Sequence, residues 1–153
     1  MTDEQVLFLA DILPTGYEVG VRNGQVKPGD VVVVVGAGPV GLAEIQTAAL
    51  TGAASIIALE PAQSRREHAL RFGADAAINP ADGDAEQQVA ALTDGGLGAD
   101  VAIEAVGTPG TFDICTRWCG PAAYRQHRRA RRTHHAAPRR AVDQERDIHY
   151  RPG

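Results

Sequence analysis

Val31-Val32-Val33-Val34-Val35-Gly36-Ala37-Gly38-Pro39-Val40-Gly41 is the stretch that decides the fold. Five consecutive β-branched residues without polar alternation make a strand buried on both faces, as in a parallel sheet covered by helices. Gly36 to Gly41 breaks the strand, and the apolar, alanine-rich run from Val40 to Leu50 predicts a helix stopped at Thr51-Gly52. Upstream, Lys27-Pro28-Gly29-Asp30 is turn chemistry that feeds the strand. Downstream the alternation repeats. A strand is expected at Ser55–Leu59, then a helix opened by Pro61 and closed by Gly73, with Arg65, Arg66, Glu67 and Arg71 on its charged face and Ala69, Leu70 and Phe72 on its apolar one. Ala76–Ile78 reads as a short strand, Asp82 to Leu92 as a polar helix, and Ala99–Glu104 as a fourth strand before the turn Gly107-Thr108-Pro109-Gly110. Repeated βα units of this spacing imply right-handed crossovers and a parallel sheet.

Gly36-Ala37-Gly38-Pro39-Val40-Gly41 also matches G-x-G-x-x-G, a weak pattern alone that gains weight from its place. It follows a buried strand, opens a helix, and has an acid, Glu60, at the end of the next strand, 19 positions beyond Gly41. Gly36 permits the tight turn, Gly38 lets a pyrophosphate approach the backbone, and Gly41 allows close helix–sheet contact. The N-terminus of the following helix offers N–H groups and a positive dipole end to phosphates. Glu60 is placed to accept hydrogen bonds from adenosine ribose hydroxyls and to repel a 2′-phosphate, which points to NAD over NADP, although Arg65 and Arg66 soften that distinction. The bland alternative is a purely structural glycine loop. The fold class that follows is α/β, a truncated Rossmann-type doubly wound parallel sheet with a disordered basic C-terminal tail.

The 153 residues are 44% hydrophobic and 22% charged, enough for one globular domain and unlike a chain disordered throughout. No apolar stretch approaches the roughly 20 residues of a spanning helix. The N-terminus lacks a basic and apolar leader pattern, so a cytoplasmic location is expected, and Cys115 and Cys119 make no disulfide framework. The net charge of −4 hides two unlike parts: residues 1–117 carry six cations against sixteen acids, and residues 118–153 carry nine arginines against three acids. Three regions are therefore expected: a connecting helical segment over 1–25 that Pro14 interrupts at Thr15-Gly16, a partial NAD-binding domain over 26–117, and an Arg/His-rich tail over 118–153 without an apolar face or strand alternation.

The ordered series Leu9-Ala10-Asp11-Ile12-Leu13-Pro14-Thr15-Gly16-Tyr17, Val26-Lys27-Pro28-Gly29-Asp30, the glycine turn with Leu42, Arg71-Phe72-Gly73-Ala74-Asp75 with Ile78-Asn79-Pro80, and Ala99 to Gly107 resembles the cofactor-binding half of zinc-dependent alcohol dehydrogenases of the medium-chain dehydrogenase/reductase superfamily. The resemblance covers nearly all of residues 1–117. It implies an oxidoreductase that moves hydride between an alcohol or aldehyde and NAD, with zinc as second cofactor. Residue by residue, it gives Asp11 the place of a ligand to the catalytic zinc. Thr15, the catalytic-site residue, and Val40 match positions that touch the nicotinamide ring. Gly36, Gly38, Pro39, Val40 and Gly41 form the cofactor turn, Glu60 the ribose-binding acid, Arg65 a basic neighbour of the adenosine, and Ala105 and Val106 the strand end beside the nicotinamide. For Asp11 alone, the competing reading is a solvated helix residue. A catalytic zinc needs three protein ligands and an open position, and here only one candidate stands, so the zinc site is expected to be incomplete and the chain to retain at most cofactor binding. Homo-oligomers are the family habit, with the dimer edge expected to be lost here.

Two readings of the tail remain open. Nine arginines suit a nucleic-acid-binding or regulatory arm with salt-sensitive affinity, but Trp118, Tyr124 and Tyr150 are too sparse for base stacking, which counts against nucleic acid. The other reading is a change of reading frame near Trp118. With third bases chosen to suit, codons for Arg125–His135 read one base later give A-N-I-G-V-H-G-G-P-T-T and those for Val142–Asp147 give W-I-K-N-V-T, both similar to the continuation expected in the family. The encoding DNA decides between them.

Overall fold

The computed structural model describes residues 2–7, 9–118 and 141–143. At its centre lies β1 (Val31–Val35), flanked by β2 (Ser55–Leu59) and β4 (Val101–Glu104); β3 (Ala76–Ile78) lies outside β2 and β5 (Ala141–Asp143) outside β4. All four pairings are parallel, in the order β3-β2-β1-β4-β5. The register aligns Val31 with Ser55 and Val35 with Leu59, and on the other side Val32 with Val101 and Val35 with Glu104. Because side chains alternate across a strand, the valines divide between two cores. Val32 and Val34 pack with Ile45, Ile56, Val101 and Ile103 on one face, while Val33 and Val35 pack with Ile57, Leu59, Val89 and Ala102 on the other. Each fully buried valine contributes about 1.5 kcal/mol or more, which is why the run tolerates no polar alternation.

The helices are α1 (Asp3–Leu7), α2 (Ile12–Thr15), α3 (Pro39–Thr51), α4 (Gln63–Arg71), α5 (Ala85–Ala91) and α6 (Pro109–Trp118), with a π-helical segment at Gly16–Arg22; α3 and α4 pack into one core and α5 and α6 into the other. α3 begins at Gly38, whose backbone is extended, with Pro39 in the first turn where a missing N–H removes no intrahelical bond. It ends at Gly52, left-handed at φ +90°. The π-helical segment lies against α3 because two glycines open the way: a Cβ on Gly16 would sit 2.8 Å from the Cβ of Ala43, and one on Gly20 would sit 2.7 Å from Cγ of the buried Glu44.

Several boundaries differ from those read in the sequence. Pro14 does not interrupt the leading segment, since it falls in the first turn of α2, where proline is tolerated, and the chain runs on into the π-helical turns. α4 opens at Gln63, not Pro61, because Glu60 Oε1 accepts the Ala62 N–H at 3.0 Å and holds that residue extended. The turn at 107–110 opens a further helix, α6: Thr108 Oγ1 accepts the Thr111 N–H at 3.3 Å and Pro109 stands at the first helical position. Beside β4, Ala141–Asp143 pairs with Ala102–Glu104. Residues 119–140 and 144–153, with the tail disorder and the alternative-frame segments read there, lie outside the described residues.

Candidate functional site

Strand order reverses at β1, which has β2 on one side and β4 on the other, and in open α/β sheets such a switch point opens a crevice at the carboxyl ends of the strands. The turn from Gly36 to Gly41 leaves β1 into this crevice, and Glu60, Glu104, Ala105 and Val106 occupy the corresponding ends of β2 and β4. Gly36 donates its N–H to Leu59 O at 2.8 Å and has φ +95°. A Cβ there would lie 2.8 Å from Cγ2 of Val106 and 3.2 Å from Ala105 O. A Cβ on Gly41 would lie 2.0 Å from Gly36 O, a contact no side chain survives. Around a Cβ on Gly38 there is nothing within 4 Å, so the middle glycine faces open space at the head of α3. Val40 and Gly41 are in the first turn of that helix, whose N–H groups have no intrahelical acceptor.

Glu60 is only 4% exposed, and its carboxylate is held by backbone. Oε2 accepts the Ala37 N–H at 3.0 Å, which ties the acid to the residue between the first two glycines, and Oε1 accepts from Ala62. A carboxylate has about four lone-pair positions, so two bonds leave capacity for a diol. Arg65 Nη1 stands 3.8 Å from Oε2 and is mostly exposed, a contact worth at most about 1 kcal/mol. Arg66 is committed elsewhere, donating to the carbonyls of Glu60 at 2.9 Å and Pro61 at 2.6 Å.

Asp11 and Thr15 form a second group, joined by a bond from Thr15 Oγ1 to Asp11 Oδ1 at 3.0 Å and exposed. Gly16, next along, lies close against Ala43 and Glu44 of α3. Among the described residues no group of three or more His, Cys, Asp or Glu could hold a metal ion. The described donors therefore do not fit a catalytic zinc, which needs three protein ligands.

Glu104, the last residue of β4, was not singled out from the sequence. It is fully buried and accepts from the Val106 N–H at 2.9 Å, the Gly107 N–H at 3.0 and 3.1 Å, and Thr111 Oγ1 at 2.7 Å. An open groove of about 560 Å³ lies elsewhere, between α2 and the far half of α3, lined by Leu13, Pro14, Tyr17, Leu50 and Thr51 among others. At 1.5 Å of rise per residue, Leu50 is roughly 15 Å along the helix from Val40, so this groove is separate from the crevice. No helix of the described residues is long and apolar enough to cross a membrane.

Known proteins share this arrangement. An alcohol dehydrogenase from Cupriavidus necator is 42% identical over 121 residues, which are 79% of this chain and 32% of that protein. The apo structure of zinc-dependent alcohol dehydrogenase 2 from Streptococcus pneumonia superimposes with a TM-score of 0.72 at 45% identity, over 78% of this chain and 34% of that one. A zinc-binding dehydrogenase from Sinorhizobium meliloti 1021, solved bound to NADP, gives 0.62 at 30% identity over 71% and 31%. The chain thus spans about a third of the length of the curated relatives it matches. With the profile of the zinc-binding dehydrogenases matching residues 39–123, more than half of its length, the chain belongs to the zinc-binding dehydrogenase family.

Proposed function

We propose that residues 26–117 bind a nicotinamide dinucleotide, NAD in preference to NADP, at the crevice between β1 and β4. The observation that carries this reading is the bond from Ala37 N–H to Glu60 Oε2, which fixes an acid beside a glycine turn whose middle member faces open space. Pyrophosphate then lies over Gly38 and Pro39 at the head of α3, and its charge meets the helix dipole and the N–H groups of Val40 and Gly41. Glu60 takes the ribose hydroxyls, with Arg65 beside the adenosine. Ala105 and Val106 flank the nicotinamide, and Val106, 51% exposed, offers it an apolar surface. A 2′-phosphate would meet the Glu60 carboxylate, and Arg66 turns its Nη1 to the carbonyls of Glu60 and Pro61. The relative solved with NADP bears on that choice, so the measurement compares both cofactors. Calorimetric titration of the purified chain should give tighter binding of NAD than NADP. Millimolar NAD without heat overturns the reading, and equal affinity overturns the preference.

In the intact family, a dinucleotide held in this way exchanges hydride with an alcohol or aldehyde. For this chain we assign Asp11 as one donor toward zinc and Thr15 as a contact to the nicotinamide ring, supported by their mutual bond above α3. Zinc would supply Lewis-acid polarisation of the substrate oxygen, but the described donors do not complete its site, so the reading for this chain is cofactor binding without turnover.

A further inference from the structure

The carboxylate of Glu104 is enclosed by the turn it precedes. Backbone N–H groups of two successive residues, Val106 and Gly107, converge on it, and Thr111 Oγ1 reaches back to it from the first turn of α6. The turn so gathered is the one that presses on the glycine loop, since Ala105 O and Val106 Cγ2 are the atoms a Cβ on Gly36 would meet and Ala105 Cβ lies 3.6 Å from one on Gly41. Gly107, at φ +84°, allows the chain to fold back over the carboxylate. An acid for this place is chemically specific: Oε1 faces three donors and Oε2 shares one of them, the Gly107 N–H, so an amide must turn its NH₂ toward at least one N–H.

We propose that Glu104 is a positioning residue for the nicotinamide end of the dinucleotide, acting through the 105–107 turn whose N–H groups it gathers. The inference rests on the dinucleotide reading above. It divides labour between two buried acids at the ends of the strands on either side of β1: Glu60 serves the adenosine end by direct contact, and Glu104 serves the nicotinamide end through Ala105 and Val106, touching no ligand itself.

The test uses the full 153-residue chain and two ligands, NAD and ADP-ribose, the second lacking only the nicotinamide. For Glu104→Gln, calorimetry should show NAD weakened about tenfold while ADP-ribose changes less than about twofold, because the carboxylate's charge-assisted bonds support one end of the site alone. For Glu60→Gln, both ligands should weaken together. Parallel loss of both ligands in Glu104→Gln, or loss of neither, overturns the inference and leaves the dinucleotide reading standing. Failure of the unmodified chain to bind either ligand removes that reading and the inference with it. Where Glu104→Gln does not fold by circular dichroism, Thr111→Val, which deletes one of the four bonds without stranding a charge, is read by the same ratio of affinities. An unchanged ratio there overturns the proposal.

Discussion

Gly38 and Gly41 stand three residues apart in one turn and answer to different demands. A methyl group on Gly41 would collide with the Gly36 carbonyl carbon and oxygen, both backbone atoms that cannot swing away. Gly41→Ala is therefore expected to cost at least about 3 kcal/mol, read as a lowered midpoint in urea unfolding, because overpacking against rigid backbone lies at the high end of such effects. Gly38→Ala meets open space, and its φ of −72° suits any residue, so its stability should stay within about 0.5 kcal/mol of the parent. Its methyl would occupy the position assigned to pyrophosphate, so NAD affinity should fall about tenfold or more, close to 1.4 kcal/mol. Undiminished NAD binding by Gly38→Ala would remove the phosphate from the head of α3. The spacing G-x-G-x-x-G foretold both positions and their separate roles, but not that the atom Gly41 must clear is the Gly36 carbonyl oxygen of the same turn.

Among the elements, β1 and β2 are pinned at their starts by acids from the neighbouring strands. Asp100, just before β4, accepts the Val31 N–H at 3.0 Å, and Asp75, just before β3, accepts the Ile56 N–H at 2.7 Å. Each also donates its own N–H across the same gap, Asp100 to Val31 O and Asp75 to Ile56 O. These paired bonds set the register that places Val35 opposite Leu59 and Glu104. Asp100→Ala leaves a part-buried N–H without that acceptor, and stability should fall by about 1–3 kcal/mol in denaturant unfolding. A loss under about 0.5 kcal/mol would show that the register is held by the valine core alone. The strands themselves were legible because β-branched runs bounded by turns are a local signal. The pins were not: in the sequence Asp75 and Asp100 are two acids among many, and the N–H groups they accept from lie 19 and 69 positions away. The same holds for α6, whose Thr108-Pro109 start is also a turn signal until Glu104 and Thr111 are brought together.

For the molecule as a whole, the parallel sheet, its central strand and most of the candidate site could be read from the chain, because the glycine turn and the acid that faces it lie on consecutive βα units. What could not be read were contacts across the switch point, where Glu104 and the Ala105–Val106 turn meet the glycine loop from a strand distant in sequence. That geometry separates binding from chemistry. On the proposed dinucleotide reading, a saturating cofactor should stabilise the fold by mass action, by about 2.7 kcal/mol at a hundred times its dissociation constant. Thermal unfolding with and without NAD measures this, and Glu60→Ala should abolish most of the gain. Zinc should do neither thing. Asp11 is exposed, bound to Thr15, and stands in no group of three metal-ligating residues among those described, so added zinc should leave the melting temperature unchanged. By the same argument the purified chain with NAD, zinc and an alcohol should generate no NADH absorbance. Alcohol-dependent formation of NADH that disappears with Asp11→Ala would show that Asp11 finds further ligands in this chain, and the division between a cofactor-binding part and a catalytic remainder would have to be redrawn.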